Sequence, residues 1–255
     1  MLPYTVLLAQ ENKAPGIGSL MKNLHFEAGF NYPKGPVREE VAIRQSLTYN
    51  YYSLTSDGSI SSYTSGVLFG IRMEYFVPAY RSGISAGLRF TGYNTEIFTN
   101  TSGSMDYFYL RYSEVGSDTR FARVKSLMED RYVLSIPVEF RIVPLRYNNL
   151  SLSFKAGVDV GILNLKNERS IDFMEESMNG RTAEVMAGLP SPAGNSYATF
   201  YTAICFNAGR EGKPNYSFEI LLPSVFLTKN TFSLTETNYF AGVKLSMQLP
   251  LNSSK

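Results

Sequence analysis

The 255-residue chain carries 44% hydrophobic and 14% aromatic residues against 18% charged. That is too apolar for a disordered chain and poor in charge for a soluble domain, where about a quarter of residues are charged. A net charge of +2 argues against a nucleic-acid partner, while one cysteine (Cys205) and one histidine (His25) exclude an intrachain disulfide framework, a cysteine zinc cluster and any His-rich metal site.

No apolar run reaches the roughly 18 residues that a spanning helix needs. Leu2–Ala9 (LPYTVLLA) is apolar and Gln10–Lys13 turns polar. This reads either as the tail of a secretory signal or as an arm of the mature chain, with no Lys or Arg before Lys13. Residues 1–20 are accordingly set apart as an arm or signal-peptide remnant, and 21–255 are expected to form one domain.

From there a period of two dominates. Its eight segments are Leu24–Phe30, Val67–Tyr75, Ile84–Phe90, Tyr132–Ile142, Leu150–Ile162, Tyr197–Ala208, Tyr216–Leu222 and Ala241–Leu249. In the fourth, Leu134, Ile136, Val138 and Phe140 share one side while Ser135, Glu139 and Arg141 share the other. Connections alternate in length. Pro78–Ser82, Pro144–Asn149 and Gly209–Asn215 have the Pro/Gly/Asn chemistry of tight turns. Residues 32–65, 99–130 and 164–196 are long, and 227–238 is intermediate. Within the long loops, Ser46–Tyr52 with Ile60–Tyr63 is expected to form one hairpin and Tyr107–Tyr112 with Arg120–Lys125 another. Arg169–Ser177 reads as a helical turn or two. If the hairpins also cross a bilayer, the strand count becomes ten.

The predicted fold is all-β: a closed antiparallel up-and-down transmembrane β-barrel of eight strands (ten possible), with short periplasmic turns and long extracellular loops. The competing soluble, lipocalin-like barrel, binding a small apolar ligand, would exchange the two faces. The polar faces decide. They carry Gly29, Gly70, Gly87, Gly157, Gly161 and Gly242, which relieve crowding inside a narrow barrel. They also carry Glu27, Glu74, Glu139, Asp159 and Glu219 against Arg72, Arg89, Arg141, Lys155 and Lys244, the matched charge that a buried interior requires. These ten residues are the expected structural interior charge network, filling the lumen as a plug of ion pairs. Tyr80, Tyr93, Phe98, Tyr132, Tyr147, Tyr216 and Tyr239 are candidates for interfacial girdles, with ordinary strand propensity as the alternative reading.

Arg131–Val143 (RYVLSIPVEFRIV), the following turn and Leu150–Asn164 (LSLSFKAGVDVGILN) resemble the PorT-like outer-membrane β-barrel domain family. The shared elements are the aromatic, the alternating aliphatics and the Ile-Pro step before a strand carrying Lys-Ala-Gly. The resemblance implies a small barrel in the outer membrane of a diderm bacterium and suggests an accessory role in protein secretion or envelope assembly. Leu249–Lys255 lacks the terminal aromatic often found in such barrels, a departure from that pattern.

No catalytic, cofactor-binding or metal site is expected. His-dependent hydrolysis needs an imidazole beside its nucleophile, and His25 lies on a strand's polar face at the short-turn end. Glu39–Glu40 and Glu175–Glu176 are neighbours on extended chain, whose side chains face opposite ways. Asp57-Gly58-Ser59 is turn chemistry, and Cys205 reads as a small packed residue. The expected partners are outer-membrane lipid and, through the loops, envelope or secretion proteins or surface glycans. The Tyr-rich stretch of Tyr49, Tyr51, Tyr52 and Tyr63 is a candidate contact surface, or else a hairpin packed on itself. The chain is expected to be a non-enzymatic monomer.

Overall fold

Aliphatic and aromatic residues alternating with small or polar ones become twelve strands in the computed structural model, which describes residues 20–38, 41, 43–44, 48–50, 53–55, 60–99, 107–113, 119–191, 197–210, 213–229 and 231–251. In chain order these are β1 (Met21–Lys34), β2 (Ile43–Arg44), β3 (Thr48–Asn50), β4 (Ser53–Thr55), β5 (Ile60–Val77) and β6 (Ser82–Thr99). They continue as β7 (Phe108–Ser113), β8 (Thr119–Tyr147), β9 (Leu150–Phe173), β10 (Ala198–Ala208), β11 (Asn215–Phe226) and β12 (Tyr239–Pro250). A 3₁₀ turn at Glu176–Arg181 leads into the one described α-helix, α1 (Thr182–Ala187).

Eight strands pair antiparallel in the order β8-β6-β5-β1-β12-β11-β10-β9, and β9 pairs with β8 again, so the ladder returns on itself as a ring. Seven of the predicted segments lie within one of these strands, and the eighth, Tyr197–Ala208, starts one residue ahead of β10. The pair β1–β12 joins the two ends of the sequence, with Phe26 opposite Met247 and Phe30 opposite Val243. Successive strands meet through short connections at one end. Asn148 takes the left-handed φ of 52° at the Asn148–Asn149 turn, a conformation asparagine tolerates better than most residues.

The loops depart from the sequence expectation in three places. The hairpin β7–β8 forms, but β7 lies beside Thr119–Val124, past the stretch of β8 that pairs with β6; it heightens the sheet and adds no crossing to the eight. Ile60–Tyr63 does not fold back on Ser46–Tyr52. It is the start of β5, paired with Glu96–Thr99, while β3 and β4 make a small separate hairpin. Arg169–Phe173 is strand, not helix, because β9 keeps pairing with β8 as far as Val124. Asp57–Ser59, Tyr51–Tyr52 and Glu39–Glu40 fall outside the described residues.

The result is a lopsided wall. β8 has 29 residues and β9 has 24, whereas β10, β11 and β12 have 11 or 12. Two bulges shift the β8–β9 register between Tyr132 and Ser135, where one β9 residue is extra at each. They let Ile162, Leu163 and Leu165 all stand exposed on the outer side. Above them the taller strands carry a lobe with its own apolar core, built on Ile97, Phe108, Leu110, Leu127, Phe173 and Val185.

Around the ring the outer face is apolar. Val67, Phe69, Ile71 and Met73 of β5 are exposed, as are Ile136, Val138, Phe140 and Ile142 of β8 and Val243 and Leu245 of β12. Phe69 is 56% exposed and Leu245 63%. On β5 this belt lies between Tyr63 and Tyr75, roughly 40 Å of strand at about 3.3 Å per residue. At the tilt of about 40° usual for barrels, that is ~30 Å of height.

Candidate functional site

The inward face is where charge collects. All ten residues Glu27, Arg72, Glu74, Arg89, Glu139, Arg141, Lys155, Asp159, Glu219 and Lys244 are buried within the ring. They occupy two layers. Nearest the short turns, Glu74 accepts hydrogen bonds from Asn23 Nδ2 (3.0 Å) and Arg141 Nη2 (2.8 Å). His25 Nε2 lies 3.1 Å from the same carboxylate. The histidine therefore stands among interior polar groups, far from the loops.

In the middle layer Glu139, 1% exposed, meets four cations. It pairs with Arg72, with Arg89 Nη2 at 3.1 Å, with Lys244 Nζ at 3.2 Å and with Lys155 Nζ at 3.7 Å, and it accepts from Tyr201 Oη at 2.6 Å. Glu27 takes Arg89 Nε at 2.7 Å and Arg72 Nη2 at 3.0 Å. Arg89 also donates to Asp159 Oδ2 at 2.9 Å, and Glu219 pairs with Lys155 and with Lys244 at 3.1 Å. Thus β1, β5, β6, β8, β9, β11 and β12 each contribute an ion to one lattice. Isolated, each such charge would cost several kcal/mol to bury; the five acids and five bases offset one another only as a set.

Side chains of this size fit because glycines stand beside them on the same face. A Cβ on Gly87 would come within 2.0 Å of the Ile71 carbonyl, and one on Gly157 within 2.9 Å of Glu139 Cγ. The space left between Asn31, Asp159, Tyr201 and Lys244 is about 10 Å³, enough for about one water.

Above the ions lies an aromatic layer. Tyr93 and Tyr197 share a hydrogen bond of 2.9 Å, and Phe232 packs edge-on to Tyr93 with ring centroids 5.1 Å apart. Tyr93 is thus an interior residue, not part of a girdle. It shares the parity of Arg89 and Thr91 on β6, a signal present in the sequence. Phe98 and Tyr132 are half-buried, while Tyr80, Tyr147, Tyr216 and Tyr239 are exposed at strand ends.

Phe232 belongs to the segment between β11 and β12, which sequence reading treats as an ordinary loop. It turns inward as a cap. Thr231 to Thr235 are all buried. Arg131 donates to the Thr231 carbonyl, Arg38 Nε to the Phe232 carbonyl at 3.1 Å, and Arg169 Nη2 to Ser233 Oγ at 2.6 Å, while Ser233 donates to Glu129. The signal was the brief alternation Phe232-Ser233-Leu234, too short to read alone. At the lobe's surface, Glu175 hydrogen-bonds Arg123 and holds that guanidinium above the ordinary arginine value.

Each of the five acids of the network is paired with at least one cation. Among the described residues no group of three or more His, Cys, Asp or Glu is placed to hold a metal ion. Cys205 is buried beside Tyr201 and Ala203. The feature that faces outward is the apolar wall. On it, over β10, β11, β12 and β1 near the short turns, runs an open groove of about 490 Å³.

Neither a protein-family model nor a curated protein matches this chain. Among solved structures it is similar to the outer membrane protein OprG from Pseudomonas aeruginosa, with 8% identity and a TM-score of 0.37 over 91% of this chain and 98% of that one.

Proposed function

We propose that this chain is an integral outer-membrane β-barrel of a diderm bacterium, non-enzymatic, whose role is structural or lies in surface interactions of its tall lobe. The observation that carries the reading is the inversion of the usual burial pattern: Phe69, Phe140 and Leu245 stand exposed around the ring while Arg72, Glu139 and Lys244 are enclosed. Water outside such a wall would be in contact with a continuous apolar belt far beyond what soluble monomers tolerate. Hydrocarbon outside it is the stabilising solvent, because a strand ladder that returns on itself presents no open edge at that depth. The belt's height of ~30 Å suits a bilayer core, which is about 30 Å thick. A soluble barrel with an apolar ligand inside is disfavoured by the same burial, since the lumen holds ions and almost no free volume. The interior would then act as a plug, and no aqueous channel is expected.

The short turns would face the periplasm and the lobe the cell exterior, where a rigid scaffold presenting irregular segments is the usual setting for recognition. Protein or glycan partners fit that surface. A second reading, an accessory role in protein secretion or envelope assembly, is favoured by the resemblance of Arg131–Asn164 to PorT-like domains.

Refolding the purified chain into phosphatidylcholine vesicles tests the first claim. A folded barrel runs at a different gel position before heating than after; a chain that folds and stays monomeric in buffer without lipid or detergent refutes the proposal. Orientation is tested on intact cells. A membrane-impermeant amine reagent should label Lys125 and Lys166 of the lobe and spare Lys213 in a short turn. The reverse pattern overturns the assignment of ends.

A further inference from the structure

We propose that the outer wall at the short-turn end holds one anionic phospholipid, its acyl chain in the groove over β10–β11–β12–β1 and its phosphate on Arg210 and Lys213. The inference rests on the membrane reading above and names a specific lipid site within it.

The groove follows from side-chain size along two neighbouring rows of the sheet. Across the first row Phe26 faces Met247, Met247 faces Tyr216, and Tyr216 faces Ala208. Across the next, Ala28 faces Leu245, Leu245 faces Phe218, and Phe218 faces Phe206. Large side chains therefore wall a channel whose dips fall at Ala28 and Ala208. Its volume is about 490 Å³ and its walls are almost wholly apolar. A polar ligand would lose hydration there without gaining partners, whereas an alkyl chain is matched in chemistry and in shape.

The second observation is where the groove ends. Ala208 and Tyr216 flank the Gly209–Asn215 turn, which carries Arg210 and Lys213, both exposed. Arg210 Nε donates to Asn149 Oδ1 at 3.3 Å, tying the guanidinium to the neighbouring turn. Around the same rim stand the exposed cations Lys22, Arg81 and Arg146. Against these, the three short turns contain a single acid, Glu211. The other end of the molecule mixes signs, with Asp172, Glu175 and Glu184 among its cations. Headgroup level at the short-turn end is thus cationic directly beyond an apolar slot, the complement of a lipid with a net negative phosphate. A second copy of the chain in the same membrane would bring Arg210 and Lys213 against their own counterparts, so the charge selects lipid over self-association.

The test refolds the full chain into phosphatidylcholine vesicles with a minor fraction of phosphatidylglycerol. Native mass spectrometry of the gently extracted barrel then counts retained lipids. One phosphatidylglycerol should be retained in preference to phosphatidylcholine. Arg210→Gln and Lys213→Gln should each lower that retention about fivefold, the effect of one cation near an anionic headgroup. Ala28→Phe, which points away from the lumen, should remove bound lipid altogether while leaving the unheated gel position unchanged. Equal retention of the two lipids by the unaltered chain, undiminished retention by the variants, or a lipid-free pair of copies overturns the proposal. A chain that does not fold in phosphatidylcholine alone refutes the membrane reading as well; a folded barrel without lipid preference refutes this site only.

Discussion

Replacing Glu139 by alanine should be among the most damaging single changes in the chain. The carboxylate is shared by Arg72, Arg89, Lys155 and Lys244 and receives the Tyr201 hydroxyl. Removing it leaves five cations facing four carboxylates in a lumen with almost no water. Deleting one partner of a buried, hydrogen-bonded ion pair costs about 3–5 kcal/mol, because the remaining charge stays uncompensated. Glu176, exposed at the start of the 3₁₀ turn, sets the comparison: its alanine variant should lie within about 0.5 kcal/mol of the parent, as surface substitutions do. Urea titration of vesicle-folded protein, followed by the unheated gel band, measures both. Glu139→Gln separates charge from volume, since it keeps the Tyr201 acceptor and most of the side chain. It should retain most of the loss seen with alanine. Equal midpoints for Glu139→Ala and Glu176→Ala would refute the assignment of an ionic lumen, and a Gln variant as stable as the parent would show that packing, not charge, is what matters there.

Three further outcomes follow from named contacts. Phe69→Arg, at mid-belt, should destabilise the membrane-folded state by about 2–4 kcal/mol, as basic residues do at the bilayer midplane, and a lower folded fraction in vesicles reads this out. Gly87→Ala should destabilise by roughly 1–3 kcal/mol because its methyl meets the Ile71 carbonyl, whereas Gly180→Ala, with nothing within 4 Å, should be near neutral in the same titration. Phe232→Ala withdraws the aromatic that closes the upper layer. It should cost about 3–5 kcal/mol and make the 227–238 segment cleavable by added protease, an effect absent if that segment does not seat inside the ring.

Much of the ring could be read from parity alone. Leu134, Ile136, Val138 and Phe140 on one side of β8, with Ser135, Glu139 and Arg141 on the other, identify both the strand and its two environments once the charges are counted. Parity fails where the ladder is irregular. At Ile162–Leu165 two bulges place neighbouring apolar residues on one side, so the alternation stops at Ile162, well short of the end of β9 at Phe173. What carries it on to Phe173 is pairing with β8, a long-range contact that no local pattern encodes. The cap is invisible to local pattern for a related reason. Thr231–Thr235 is held by Arg38, Arg131 and Arg169, which come from three distant parts of the chain. Tyr93, by contrast, is legible from its spacing to Arg89, although its place near a strand end resembles that of an interfacial tyrosine.

Lys244 sits on the last strand, yet its three carboxylates come from the first strand, from β8 and from β11. Until the final ribbon zips onto Met21–Lys34, those acids lack one of their counterions and the lumen stays open along one side. Completion of the wall, neutralisation of its contents and seating of Phe232, tethered just upstream of that ribbon, are therefore one event. A copy truncated before Tyr239 gains no partial credit: it holds a surplus of negative charge behind an open seam, a state that hydrocarbon rejects and a protease can reach.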